Sequence, residues 1–154
     1  MDGVLIDNLV VFFAVVYYAL LVTVYLVRAH NLSDLELKMA PIFSLQLIPF
    51  GILWVLNILK GDIDRIISMT PIIVYLLYDL WYRLITRRKP QHHPDRWPKE
   101  LKVYLLLLMV GSINLNWYGF LVSDFYGNIL VVSFFVMMSS YGYYRYQYRK
   151  GKNA

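Results

Sequence analysis

The sequence predicts an all-α membrane protein with five transmembrane helices, and three observations lead to this fold class. The chain has 154 residues, of which 59% are hydrophobic and 16% are charged, whereas soluble domains average about 45–50% apolar and about 25% charged residues. Four windows of 20 or 21 residues contain no Asp, Glu, Lys or Arg. The basic residues are also concentrated in a few segments between these windows. Together these features indicate a polytopic helical bundle rather than a soluble or disordered chain.

Each charge-free window is long enough to cross a bilayer as one helix, because a hydrocarbon core of about 30 Å needs roughly 20 apolar residues. The helices of a soluble bundle would instead carry charges on their outer faces. We therefore predict four spans, at residues 8–27, 39–59, 103–123 and 125–144.

A fifth span is predicted at residues 66–85. This segment has 13 uncharged residues up to Tyr78, followed by Asp79 and Arg83. Its apolar run at 72–77 would be difficult to keep in water. The alternative is a protein with four spans, in which this segment is re-entrant or lies on the membrane surface. In either case, residues 1–154 are predicted to form a single domain.

The distribution of Lys and Arg predicts the orientation. With five spans, 13 of the 15 basic residues lie on one side of the membrane, and only Lys60 and Arg65 lie on the other. The positive-inside rule then places the N-terminus outside and the C-terminus in the cytoplasm. With four spans the same rule would place the N-terminus inside. The expected location is the cell membrane.

Polar side chains inside the spans are the candidate functional residues, because hydrocarbon offers them no partner. Arg83 follows Asp79 by four residues, so the two are expected to form an ion pair at the inner end of the helix. Alternatively, Asp79 binds a proton, a cation or a polar substrate. The candidates within the membrane are Gln46, Asn57, Asp79, Arg83, Asn114 and Asn116.

In the second span, Gln46, Phe50, Leu53 and Asn57 lie at spacings of four, three and four residues and share one helix face. Pro49 lies beside this face and removes one backbone donor. Since a freed carbonyl in a membrane must face protein or water, this face is predicted to pack inward.

In the fourth predicted span, Asn114 and Asn116 are two residues apart and project from nearly opposite faces of the helix. Both faces are therefore predicted to contact protein, which would make this helix central to the bundle or to an oligomer.

The stretch around residues 86–98 is proline-rich and basic, and it is predicted to contact anionic lipid headgroups on the cytoplasmic side or a partner protein. Adjacent histidines in an extended segment point apart, so no metal site is predicted, and no cofactor or nucleic-acid partner is expected. The candidate contact residues are Arg87, Arg88, Lys89, His92, His93 and Arg96.

Three functional hypotheses remain. The leading one is a non-catalytic subunit of a larger membrane complex, bound to other membrane proteins or to copies of itself. The first alternative is an oligomeric transporter or channel for a small polar or cationic solute. The second is a lipid-modifying enzyme acting at the cytoplasmic interface. The chain lacks cysteine, a glycine-rich phosphate loop and a serine nucleophile elbow, so an enzymatic role is less favoured than a non-catalytic one.

Overall fold

The structure is a computed structural model that describes residues 3–30, 32–84 and 99–152, and within these ranges the chain is almost entirely helical. The all-α fold class is therefore confirmed. The described part contains six helices: α1 (Gly3–Ala29), α2 (Ser33–Leu45), α3 (Leu47–Lys60), α4 (Ile63–Leu84), α5 (Lys99–Val122) and α6 (Asp124–Lys152).

Helices α2 and α3 form one membrane-crossing segment that is interrupted at Gln46. The Gln46 backbone N–H bonds to the carbonyl of Phe43 at 3.1 Å, and α3 then begins at Leu47. This break places Pro49 in the first turn of α3. Backbone N–H groups in the first turn of a helix have no acceptor within that helix, so the N–H that proline lacks is not needed there. The predicted inward face is confirmed, because Gln46, Phe50, Leu53 and Asn57 are all buried.

The turn between α3 and α4 depends on Gly61. This residue has φ +70° and caps the C-terminus of α3 in the left-handed conformation that glycine adopts without strain. The turn makes α3 and α4 antiparallel, so that Trp54 donates a hydrogen bond of 3.1 Å to the hydroxyl of Thr70.

Helix α4 lies parallel to α1 and in register with it. Arg65 contacts Asp7 at 2.8 Å, and the rings of Tyr75 and Tyr17 have their centroids 6.3 Å apart. Both pairs are separated by 58 positions in the sequence, so α4 occupies the same depth as α1 over this stretch.

Four segments are long and apolar enough to span a membrane: Gly3–Ala29, Pro41–Lys60, Lys102–Val122 and Asp124–Lys150. Helix α4 is less apolar because it carries Asp64, Arg65, Asp79 and Arg83. Its register with α1, which is one of the four, nevertheless supports the prediction of a fifth crossing. The inside and outside faces stay a prediction.

Helices α5 and α6 form a tight hairpin with Ser123 alone between them. A Cβ atom on Gly119 would lie 3.0 Å from the Cα of Gly127, so the two backbones are in direct contact. Helix α6 is parallel to α1, as the contacts of Asn8 with Tyr126 and of Tyr25 with Tyr141 show.

The helix directions define two ends of the bundle. The Asp7 end contains the start of α1, the α3–α4 turn and the α5–α6 turn, and the Arg28 end is opposite. Described basic residues at or near the Arg28 end are Arg28, Lys38, Lys102, Arg145, Arg149 and Lys150.

Candidate functional site

A series of buried polar side chains follows the centre of the bundle, and we call it the polar column. It extends along α4 from Arg65, beside Asp7, to Asp79, which is about 21 Å at 1.5 Å per residue and covers most of a hydrocarbon core of about 30 Å. The members of the polar column are Asp7, Tyr17, Tyr18, Gln46, Asn57, Tyr75, Asp79, Tyr104, Ser112, Asn116 and Tyr118.

Asp7 forms the first part of the column. One of its carboxylate oxygens accepts a hydrogen bond of 2.8 Å from the guanidinium of Arg65, and the other accepts one of 2.8 Å from the hydroxyl of Tyr118. Arg65 also pairs with Asp62 in the preceding turn. The carboxylate of Asp7 is only 9% exposed, so these contacts compensate for the water that it loses on folding. They join α1, α4 and α5.

Asn57 lies next along the column on α3 and is 1% exposed. Its amide nitrogen lies 3.3 Å from the sulfur of Met69 on α4, which is a weak acceptor. The amide also interacts with the hydroxyl of Tyr118. Asn57 is thereby connected to Asp7, because the same Tyr118 hydroxyl donates a hydrogen bond to Asp7.

Tyr18 connects α1 to α5 in the middle of the bundle. Its hydroxyl lies 2.9 Å from the backbone carbonyl of Ser112 and 2.9 Å from the side-chain oxygen Oδ1 of Asn116. Because the hydroxyl carries one proton, it either alternates between these acceptors or shares the proton between them. Asn116 therefore faces the interior of the chain itself.

Three buried oxygen atoms in the column form no hydrogen bond of normal geometry: the hydroxyls of Tyr17 and Ser112 and the side-chain oxygen of Gln46. The Ser112 hydroxyl nevertheless lies near enough to the hydroxyls of Tyr17 and Tyr18 for weak side-chain hydrogen bonds. A buried polar group without a hydrogen bond costs about 1–3 kcal/mol. Among the described residues, the side-chain oxygen of Gln46 is the member of this group that has no hydrogen-bond partner.

An aromatic cluster closes the column at mid-depth. The ring of Tyr17 has its centroid 5.5 Å from Phe43, 6.2 Å from Phe50 and 6.3 Å from Tyr75. Two of these contacts are edge-to-face, an arrangement that aromatic rings favour. The hydroxyl of Tyr75 forms a hydrogen bond with the hydroxyl of Tyr104, and the two oxygens are 2.7 Å apart.

Asp79 lies one helical turn beyond Tyr75 and is 1% exposed. Its carboxylate is close enough to the Tyr75 hydroxyl for an electrostatic interaction. The Arg83 side chain lies outside the described residues, so the predicted ion pair with Asp79 stays a prediction. The same is true of the predicted contacts of Arg87, Arg88, Lys89, His92, His93 and Arg96.

Four of the predicted intramembrane residues are buried in the interior: Gln46, Asn57, Asp79 and Asn116. Asn114 was predicted to contact protein in the bundle or in an oligomer, and contact in an oligomer stays a prediction. Asn114 is partly exposed, and its amide nitrogen donates a hydrogen bond of 2.9 Å to the carbonyl of Val110 in its own helix. Elsewhere on α5 the prediction is confirmed, since Gly111 packs on Ile72 and Tyr118 is fully buried.

Asp7, Arg65 and most tyrosines of the column were not predicted from the sequence. Ending each span at the nearest charge placed Asp7 and Arg65 in loops, whereas both lie within helices. One signal was present: the adjacent Tyr17 and Tyr18 lie in the middle of a charge-free window, far from the interfacial positions where tyrosine is enriched.

Among residues 3–30, 32–84 and 99–152, no group of three His, Cys, Asp or Glu side chains is arranged to hold a metal ion. No protein family, curated protein or solved structure matches this chain.

Proposed function

We propose that this membrane-embedded protein moves a small cation, with the proton as the simplest case, through the polar column. The observation that carries this proposal is the position of Asp79, a carboxylate that is 1% exposed inside a bundle with four helices long and apolar enough to span a membrane. An ionisable group at such a position is expensive, and such groups usually serve ion or proton pathways.

The chemistry of the column favours a cation over an anion. Asp79 places a carboxylate toward the Arg28 end, whereas the charge of Asp7 at the other end is balanced by Arg65. The described side chains between them contribute hydroxyl, phenol and amide groups. Such oxygen atoms are the ligands that hard cations prefer, and hydroxyl groups can also pass protons. The side-chain oxygen of Gln46 has no hydrogen-bond partner within the described residues, so it can contribute to such contacts.

The aromatic cluster acts as the barrier in this proposal. Tyr17 is fully buried between Phe43, Phe50 and Tyr75, so the column is closed at mid-depth. Movement of these rings, together with the break between α2 and α3 at Gln46, would connect the two halves of the column. The cation would then pass between the Asp7 group and the Asp79 carboxylate, which binds it and releases it toward the Arg28 end.

The test is a flux assay on the purified chain in lipid vesicles. A pH-sensitive dye reports proton entry, and Na⁺- and K⁺-sensitive dyes report the alternative cations. We expect Asp79→Asn, which keeps the size of the side chain and removes its charge, to lower flux by about tenfold or more, the effect of losing about 1.4 kcal/mol of stabilisation. The matched control is Ser139→Ala, a change of an exposed α6 residue, which should leave flux unchanged. Equal flux through wild-type and protein-free vesicles for all three cations would overturn the proposal.

The subunit hypothesis remains the second candidate. The interior polar groups pair largely with one another, and this favours a role inside the bundle. Asn114, however, faces out of the chain, as a group that contacts another subunit would. A partner that co-purifies in constant proportion would favour this role. The lipid-enzyme hypothesis depends on residues outside the described ranges.

Anionic lipid headgroups are the proposed partners at the Arg28 end. Arg149 and Lys150 are exposed at the end of α6, and Arg145 lies 5.9 Å from the ring centroid of Tyr141. Tyrosine and basic side chains at this position are typical of a membrane interface.

A further inference from the structure

A groove between α4 and α5 opens on the outside of the bundle. It has a volume of about 340 Å³. Ile113 is 56% exposed and Trp117 is 60% exposed, so this face would meet lipid if the chain were alone in the membrane. The residues that line the groove are Asp64, Ile67, Ser68, Ile113, Asn114 and Trp117.

Asn114 makes this groove different from an ordinary lipid-facing surface. In the spanning segment Lys102–Val122 it lies 12 residues from one end and 8 from the other, or about 18 Å and 12 Å at 1.5 Å per residue. The amide therefore lies within the apolar segment, one helical turn from Tyr118, which contacts Asp7. Its nitrogen uses one N–H for the carbonyl of Val110, which leaves the second N–H and the oxygen without partners among the described residues.

We infer that this groove is the interface between two copies of the chain, paired through Asn114. A primary amide is complementary to itself, since its oxygen accepts and its remaining N–H donates. Two copies related by a two-fold axis can therefore form a reciprocal pair of hydrogen bonds, which is the geometry of an isologous interface. Asparagine bonds of this kind are known to hold transmembrane helices together.

A second copy explains the groove better than lipid does. An acyl chain fills apolar space but has no group that bonds to an amide, so it would leave the Asn114 oxygen and the second N–H without partners in hydrocarbon. The second copy supplies a hydrogen-bond donor and an acceptor, because its own Asn114 lies at the symmetry-related position. Ile113 and Trp117 flank the amide and supply apolar area for packing, whereas Asp64 lies in the first turn of α4, at the water-facing end of the groove. This inference is independent of the proposed transport.

The absence of cysteine makes disulfide trapping a clean test. Ile113→Cys is introduced into the full chain, and membranes are oxidised before detergent is added. Val132→Cys on α6 is the control, because Val132 is 62% exposed and lies outside the groove. We expect Ile113→Cys to form a cross-linked species of twice 18.2 kDa, at a yield several-fold above that of Val132→Cys.

The role of the Asn114 amide is tested in the chain that carries Ile113→Cys. Asn114→Leu, which keeps a similar size and cannot form the bonds, should reduce cross-linking at position 113 and shift the wild-type mass in mild detergent from two chains to one. Ser139→Ala should change neither. Equal yields from Ile113→Cys and Val132→Cys, a single-chain mass for the wild type, or a different protein trapped by Ile113→Cys would each overturn the inference. Trapping of Ile113→Cys and the mass of the wild-type protein do not depend on how well Asn114→Leu folds.

Discussion

The hydroxyl of Tyr118 donates a hydrogen bond of 2.8 Å to a carboxylate oxygen of Asp7, across 111 positions of the sequence. The other oxygen of this carboxylate is occupied by Arg65 at 2.8 Å. A single acidic side chain thus connects α1 to α4 and α5 at one end of the bundle. Since each partner comes from a different helix, this contact sets the depth of all three relative to one another.

Removing the phenol of Tyr118 tests this connection. Tyr118→Phe keeps the ring, which is fully buried, and deletes a hydrogen bond to a charged acceptor. We expect the free energy of unfolding to fall by about 1.5–3 kcal/mol. The measurement is unfolding in mixed detergent micelles followed by circular dichroism. Tyr146→Phe, at a residue that is 62% exposed, is the control and should have almost no effect.

Loss of the Arg65 charge should be more harmful, because it leaves Asp7 charged in a site where that carboxylate is 9% exposed. We expect Arg65→Met to lower the free energy of unfolding by about 2–3 kcal/mol, near the lower limit for a buried pair because Arg65 itself is partly exposed. Adding Asp7→Asn should recover part of this loss. If the double variant were less stable than Arg65→Met alone, the ion pair would not be the cause.

The contact between Tyr18 and Asn116 can be compared with a similar pair near the surface. Tyr18→Phe removes a buried bond of 2.9 Å, whereas Tyr126→Phe removes an exposed bond of 2.8 Å to Asn8. We expect the buried change to cost about 1–2 kcal/mol and the exposed one less than about 0.5 kcal/mol, since water can replace the exposed bond. Equal losses of unfolding free energy would contradict the assignment of Tyr18 to the bundle interior.

Close packing of the α5–α6 hairpin predicts a glycine effect that depends on position. A methyl group at Gly119 would lie 3.0 Å from backbone atoms of Gly127, but one at Gly142 would meet nothing within 4 Å. We therefore expect Gly119→Ala to lower the free energy of unfolding by about 1–3 kcal/mol through overpacking. Gly142→Ala should be neutral or slightly stabilising, because alanine favours a helix. A neutral Gly119→Ala would show that the two backbones lie further apart than described.

The number of crossings and the orientation can be tested together with single cysteines and a membrane-impermeant thiol reagent. With five crossings and the predicted orientation, Lys60→Cys should react in intact cells and Lys38→Cys only after permeabilisation. With four crossings and the basic loops inside, this pattern is reversed. Reaction of Lys38→Cys in intact cells would therefore rule out the arrangement favoured here. The absence of native cysteine removes background labelling.

Several features of the site were predictable because they depend on local helix geometry. The spacing of Gln46, Phe50, Leu53 and Asn57 identified the inward face of α3, and all four residues are buried. The spacing of Asn114 and Asn116 also showed that they point in different directions. Helix periodicity could not decide which of the two would find its partner within the chain. The structure places Asn116 against Tyr18 and leaves Asn114 partly exposed.

The sequence by itself determined that this is a helical membrane protein, because uncharged runs of about 20 residues match one crossing as a helix, in which the backbone satisfies its own hydrogen bonds. It also determined which polar groups need partners. Tertiary structure alone decided the partners, since the bundle holds α1 and α4 at the same depth, where the long side chains of Arg65 and Tyr75 reach Asp7 and Tyr17. Register between helices arises from side-chain packing between segments that are distant along the chain, and spacing within one helix carries no record of it.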